Sequence, residues 1–81
     1  MMSEDDFLAK IGPILREELE QDTLQVSMAT SQSALESWDS LAHVRIVVAV
    51  ERELGVQLDV AEIESINSVR GFYDAVCRHL G

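Results

Sequence analysis

The spacing of apolar residues constrains this chain most. Phe7, Leu8, Ile11, Ile14, Leu15 and Leu19 recur every three or four positions, the period of one face of an α-helix. Leu41, Val44, Val47, Val48 and Leu54 repeat the pattern on what reads as a second helix, and Val69, Phe72, Tyr73, Val76 and Leu80 on a third. Each apolar stripe must be buried against another element, and a chain of 81 residues has room for one core. The expectation is an all-α fold, a small bundle of three main helices plus one short helix, forming a single domain over residues 1–81.

Local signals set the boundaries. Ser3 can cap a first helix whose opening residues Glu4, Asp5 and Asp6 suit the positive end of the helix dipole. Gly12-Pro13 interrupts it while the apolar period continues, which predicts a kinked helix or two abutting segments. Residues 22–38, rich in Ser, Thr and Gln, have no sustained period and read as a long loop, pinned to the core by Leu24, Val26, Met28, Leu35 and Trp38. The run VRIVVAV carries strand propensity. It reads as helix because it lies in a longer segment between a capping serine and Gly55, with Val56 placed to pack beyond that cap. Asp59 and Glu62 have the spacing of a capping box for a short helix that buries Val60, Ile63 and Ile66. Ser68 opens the last helix, and Arg78 and His79 suit its negative end.

Composition removes several function classes. A net charge of −9, from 15 acidic and 6 basic residues, argues against nucleic acid or an anionic membrane and favours basic partners. With Cys77 as the only cysteine there is no disulfide, no CxxC and no zinc pattern, so a reducing cytoplasm is the expected location and Cys77 a small core residue. The N-terminus is acidic where a signal peptide is basic, and no apolar run is long enough to cross a bilayer. Catalysis on the chain itself is not expected either. Ser40 has no partnered histidine and no nucleophile-elbow glycines, and His43, three residues on, reads as a solvated surface residue. No metal site is expected, and Trp38 reads as an anchor for the loop.

The triplet Asp39-Ser40-Leu41 therefore needs another explanation. An ordinary helix cap is one. Its context supplies a second, because W-D-S-L-x-x-V-x-x-V-x-A-V-E-x-E-L-G-V-x-L from Trp38 to Leu58, followed by S-V-x-x-F-Y-x-A-V from Ser68 to Val76, resembles the acyl carrier protein family. The first helix and loop agree in length and hydrophobic spacing only.

The resemblance implies that the hydroxyl of Ser40 receives 4'-phosphopantetheine from coenzyme A through a phosphopantetheinyl transferase. The arm then carries acyl or aminoacyl groups as thioesters, so the protein is a non-catalytic substrate of other enzymes: the transferase, a loading ligase or acyltransferase, and downstream biosynthetic enzymes. Asp39 and Leu41 flank the attachment point, Asp39 aiding recognition by the transferase and Leu41 packing against arm or partner, or simply in the core. By resemblance the partner face of the second helix includes Ala42, Arg45, Glu51 and Arg52, with Val44 and Val48 at its edge toward the short helix. Val44, Val48, Ile63 and Ile66 could line a cargo groove between the second and third helices, or a closed core. Many relatives are acidic where Arg45 and Arg52 stand, which points away from a housekeeping fatty acid synthase and toward a specialised pathway. The expected protein is a free-standing, monomeric, cytoplasmic carrier; the competing reading is an acidic helical interaction module without a prosthetic group.

Overall fold

Side-chain and backbone caps bound the helices of this chain in the computed structural model, which describes residues 2–80. Helix α1 spans Glu4–Glu18, with the Ser3 hydroxyl accepting from the Asp6 amide at 3.1 Å. Pro13 lies inside it and the helix runs through without dividing. A long connection follows, in which Gln32–Ala34 forms a single 3-10 turn that the loop reading did not anticipate. Helix α2 spans Ser40–Leu54, α3 spans Val60–Ser65 and α4 spans Val69–Leu80. The described residues contain no strand, only an isolated bridge between Ser31 and Ser68. The fold is all-α, as the periodicity predicts.

The cap of α2 is Asp39 and not a serine. Its carboxylate accepts from the Ala42 amide at 2.9 Å, which makes Ser40 the first helical residue. At the other end Gly55 adopts φ 66°, a left-handed conformation that glycine enters without steric cost. Glu51 O then accepts from both Gly55 N and Val56 N. The capping box of α3 is complete: Glu62 N donates to Asp59, and Asp59 N donates back to Glu62.

The long loop is tied down by the N-terminus of α4. A helix start leaves its first amides without partners in the helix. Here Val69 N donates to Thr30 O, Arg70 N to Met28 O, and Gly71 N to the Ser68 hydroxyl. The loop thus satisfies the helix and the helix orders the loop. Leu24, Val26, Met28 and Leu35 pack against the core beside it, and Trp38 is buried within it.

The core is built from Phe7, Ile11, Leu15 and Leu19 of α1, Ala42, Ile46, Val47 and Val50 of α2, and Val69, Phe72, Ala75 and Val76 of α4, closed by Trp38, Leu58 and Ile66. Three sequence expectations change. The buried face of α2 is Ala42, Ile46, Val47 and Val50, whereas Leu41, Val44 and Val48 point outward. A helix apolar on most sides offers more than one stripe, and packing against α1 and α4 selects which is used. Val60 and Leu80 are exposed, and Cys77 is half-buried at the edge of the core.

Candidate functional site

Ser40 stands at the N-terminal tip of α2, exposed, between an exposed Asp39 and a Leu41 with 69% of its surface open. Asp39 takes up the Ala42 amide with its side chain and the His43 amide, at 2.9 Å, with its carbonyl. Among the described residues the amides of Ser40 and Leu41 and the Ser40 hydroxyl form no hydrogen bond. Two free N–H groups and the positive end of a 15-residue helix therefore lie beside an open hydroxyl. That is an environment in which an anion such as a phosphodiester is favoured.

Other serines near it differ. Ser37 is half-buried and its hydroxyl accepts from the Gln21 side-chain amide, and Ser31 and Ser33 share a hydrogen bond at 3.3 Å. Of these, Ser40 alone combines exposure with an unengaged oxygen.

His43 is not the solvated residue that the sequence suggests. It is half-buried, and its Nδ1 accepts from Trp38 Nε1 at 3.0 Å. An indole can only donate, so the histidine carries its proton on Nε2, which donates to Ile63 O at 2.9 Å. Both ring nitrogens are committed, and the ring is stacked with Trp38 at 6.1 Å and tilted against Phe72 at 5.7 Å. A base for Ser40 would have to abandon this arrangement. Its role in the fold is to latch the start of α2 to the end of the loop and to α3. One signal was available in the sequence: a Trp that anchors a loop from inside a core needs an acceptor for its N–H.

The expected partner residues divide into two groups. Leu41, Val44, Arg45, Val48 and Arg52 are all exposed along the outer side of α2. Ala42 is buried, so it belongs to the core and not to the face. Glu51 is also withdrawn: half-buried, its carboxylate accepts from Leu58 N at 2.8 Å and fastens the connection between α2 and α3. The cargo groove is not assembled as expected either. Val44 and Val48 line a shallow depression of about 290 Å³ together with Glu18 of α1, Arg45, Ala49 and Arg52. They therefore face the end of α1 and not the short helix, while Ile63 is half-buried and Ile66 is part of the core. An open groove of about 860 Å³ bordered by Met2, Pro13, Ile14 and Leu80 does not include Ser40.

Helix α3 is also held by the Glu62 carboxylate. Glu62 lies 2.8 Å from His79 Nε2 and 3.4 Å from an Arg78 nitrogen, in addition to its capping contact with Asp59 N. The hydrogen bond with His79, followed by that from the Asp59 backbone, holds its pKa below the ordinary 4.5.

Comparison with known proteins bears on this geometry. The sequence model of a family described as "Phosphopantetheine attachment site" matches residues 9–76, most of the chain and all of α2 and α3. The "Polyketide-8 synthase acyl carrier protein 2" of Streptomyces avermitilis is 44% identical over 43 residues, which cover 53% of this chain and 49% of that protein. The match thus spans about half the length of that relative. No solved structure matches the chain. With the family pattern running from α1 to α4, the chain belongs to the phosphopantetheine-attachment family, whose prosthetic group is 4'-phosphopantetheine.

Proposed function

We propose that Ser40 is the residue that holds the prosthetic group and that the chain shuttles a pathway intermediate between enzymes without catalysing a step itself. One observation carries this reading: an exposed, unengaged hydroxyl at the first position of α2, beside two free amides. In loading, Ser40 Oγ attacks the phosphorus that bears the pantetheine in coenzyme A. An O–P bond forms, the diphosphate P–O bond breaks, and adenosine 3',5'-bisphosphate leaves. The serine proton passes to a base on the transferase, since His43 has both nitrogens engaged. The free amides of Ser40 and Leu41 would be available to the phosphodiester once it is attached.

When bound, the group supplies a thiol on a flexible arm that carries acyl groups as thioesters. The chain's own residues do the rest. Asp39 fixes the helix start so that Ser40 projects, and Leu41, Val44 and Val48 give partners an apolar surface beside it. A specialised pathway with acyl cargo of the polyketide type is favoured by the name of the Streptomyces relative and by the two arginines of the outer face. The reading extends to a single-domain monomer in the cytoplasm, in keeping with a single cysteine; among the described residues no helix is long and apolar enough to cross a membrane.

Intact mass after incubation with coenzyme A and a broad-specificity transferase tests the assignment. The expected result is a gain of one phosphopantetheine group that disappears in Ser40→Ala. No gain, or a gain that survives the substitution, overturns it and leaves the interaction-module reading.

A further inference from the structure

We infer that the outer face of α2 docks an acidic protein surface, although the chain as a whole is strongly acidic. The inference rests on the carrier reading above and names the kind of partner that face takes. Arg45 and Arg52 are seven residues apart, which places them on one side of the helix and about 10 Å apart along its axis. Both are exposed, and neither is within ion-pair distance of a carboxylate among the described residues.

The acids that could neutralise them are occupied or few. Glu51, on the same helix, is turned toward Leu58 N. Glu53 pairs with Lys10 at 3.8 Å on another side. Glu18 alone shares the depression, so two cations face one carboxylate there. Val48, 40% exposed, lies between the arginines along the helix; Val44, 57% exposed, sits beside Arg45, and Leu41 extends the apolar strip to the side of Ser40.

Net charge sets the field at long range, but salt screens it beyond about 8–10 Å, so contact is decided by the groups on the face itself. An apolar strip bordered by two unpaired guanidinium groups fits a partner helix or ridge with apolar residues and carboxylates. Arginine suits this because its planar fork can meet a carboxylate with two hydrogen bonds. A polyanion such as RNA is a poorer match. The rest of the surface, at a net −9, repels an extended phosphate chain, and the apolar strip gives it nothing to bind.

Two designed amphipathic helical peptides, sharing one leucine stripe but carrying Glu or Lys at their flanking positions, test this by amide chemical-shift titration of the full chain. The titration is run on the chain both before and after loading with phosphopantetheine. The Glu peptide is expected to shift amides between Leu41 and Arg52 saturably. Its affinity should fall roughly tenfold or more in Arg45→Glu/Arg52→Glu, fall by less in Arg45→Gln/Arg52→Gln, and weaken at high salt. The Lys peptide should leave this face unperturbed.

The inference is overturned if the Lys peptide occupies the face as tightly, if charge reversal leaves the affinity for the Glu peptide unchanged, or if the Glu peptide perturbs nothing on α2. It is also overturned if the same amides shift with protein concentration alone and the shifts vanish on charge reversal, since a second copy then covers the face. A failed loading at Ser40 registers by mass, independently of the titration, so the two readings fail separately.

Discussion

A buried indole N–H without an acceptor costs about 1–3 kcal/mol, and His43 is what spares Trp38 that cost. His43→Ala is therefore expected to lower stability by about 1–3 kcal/mol, read in urea unfolding followed by the fluorescence of the single tryptophan. A loss of only a few tenths would contradict the latch. Asp39→Ala, which strips the cap from α2, should cost about 1 kcal/mol in the same measurement. Gly55→Ala should cost a similar amount, about 1 kcal/mol, through backbone strain at φ 66°. Single residues were legible in the sequence where the signal was local. Ser3, Gly55, Asp59 and Glu62 stand where cap chemistry predicts, because capping partners lie within four positions. His43 was misread because its second partner, the Ile63 carbonyl, is 20 residues away and appears only once α3 is folded against α2.

Among the elements, α2 shows most clearly what periodicity can and cannot decide. Its helical character was readable against a β-branched composition because the segment is long and ends in glycine. Its inward face was not, since Leu41-Val44-Val48 and Ala42-Ile46-Val50 are both apolar stripes at helical spacing. Helix α3 depends on Glu62, and that dependence has a pH signature. A carboxyl held below its ordinary 4.5 in the folded state contributes stability that is fully present above that value. The contribution fades as the pH falls through the lowered folded value. Glu62→Gln is expected to be less stable than the wild type near neutral pH, with the gap closing as the pH falls from 4.5 through the lowered folded value. Unfolding midpoints that stay parallel across this range would remove Glu62 from the account of α3.

At the scale of the whole molecule, a net charge of −9 on a small fold implies self-repulsion, so added salt should raise the melting temperature. A melting temperature that falls with added sodium chloride would show that ion pairs such as Arg70–Glu4, at 2.9 Å, outweigh the repulsion. The bundle and the position of the serine were foreseeable because both follow from short-range pattern. The division of the outer face was not, because the sequence shows neither that Glu51 is taken by the α2–α3 connection nor that Ala42 is covered. On the proposed function, what joins fold to function is one hydroxyl left open at a helix tip while neighbouring serines are engaged. Tandem mass spectrometry of the loaded chain reads this directly, by backbone fragments cleaved on either side of residue 40. The predicted result is that the phosphopantetheine group is absent from N-terminal fragments ending at Asp39 and present in those that include Ser40; its retention on a fragment ending at Ser37 or earlier would contradict the assignment.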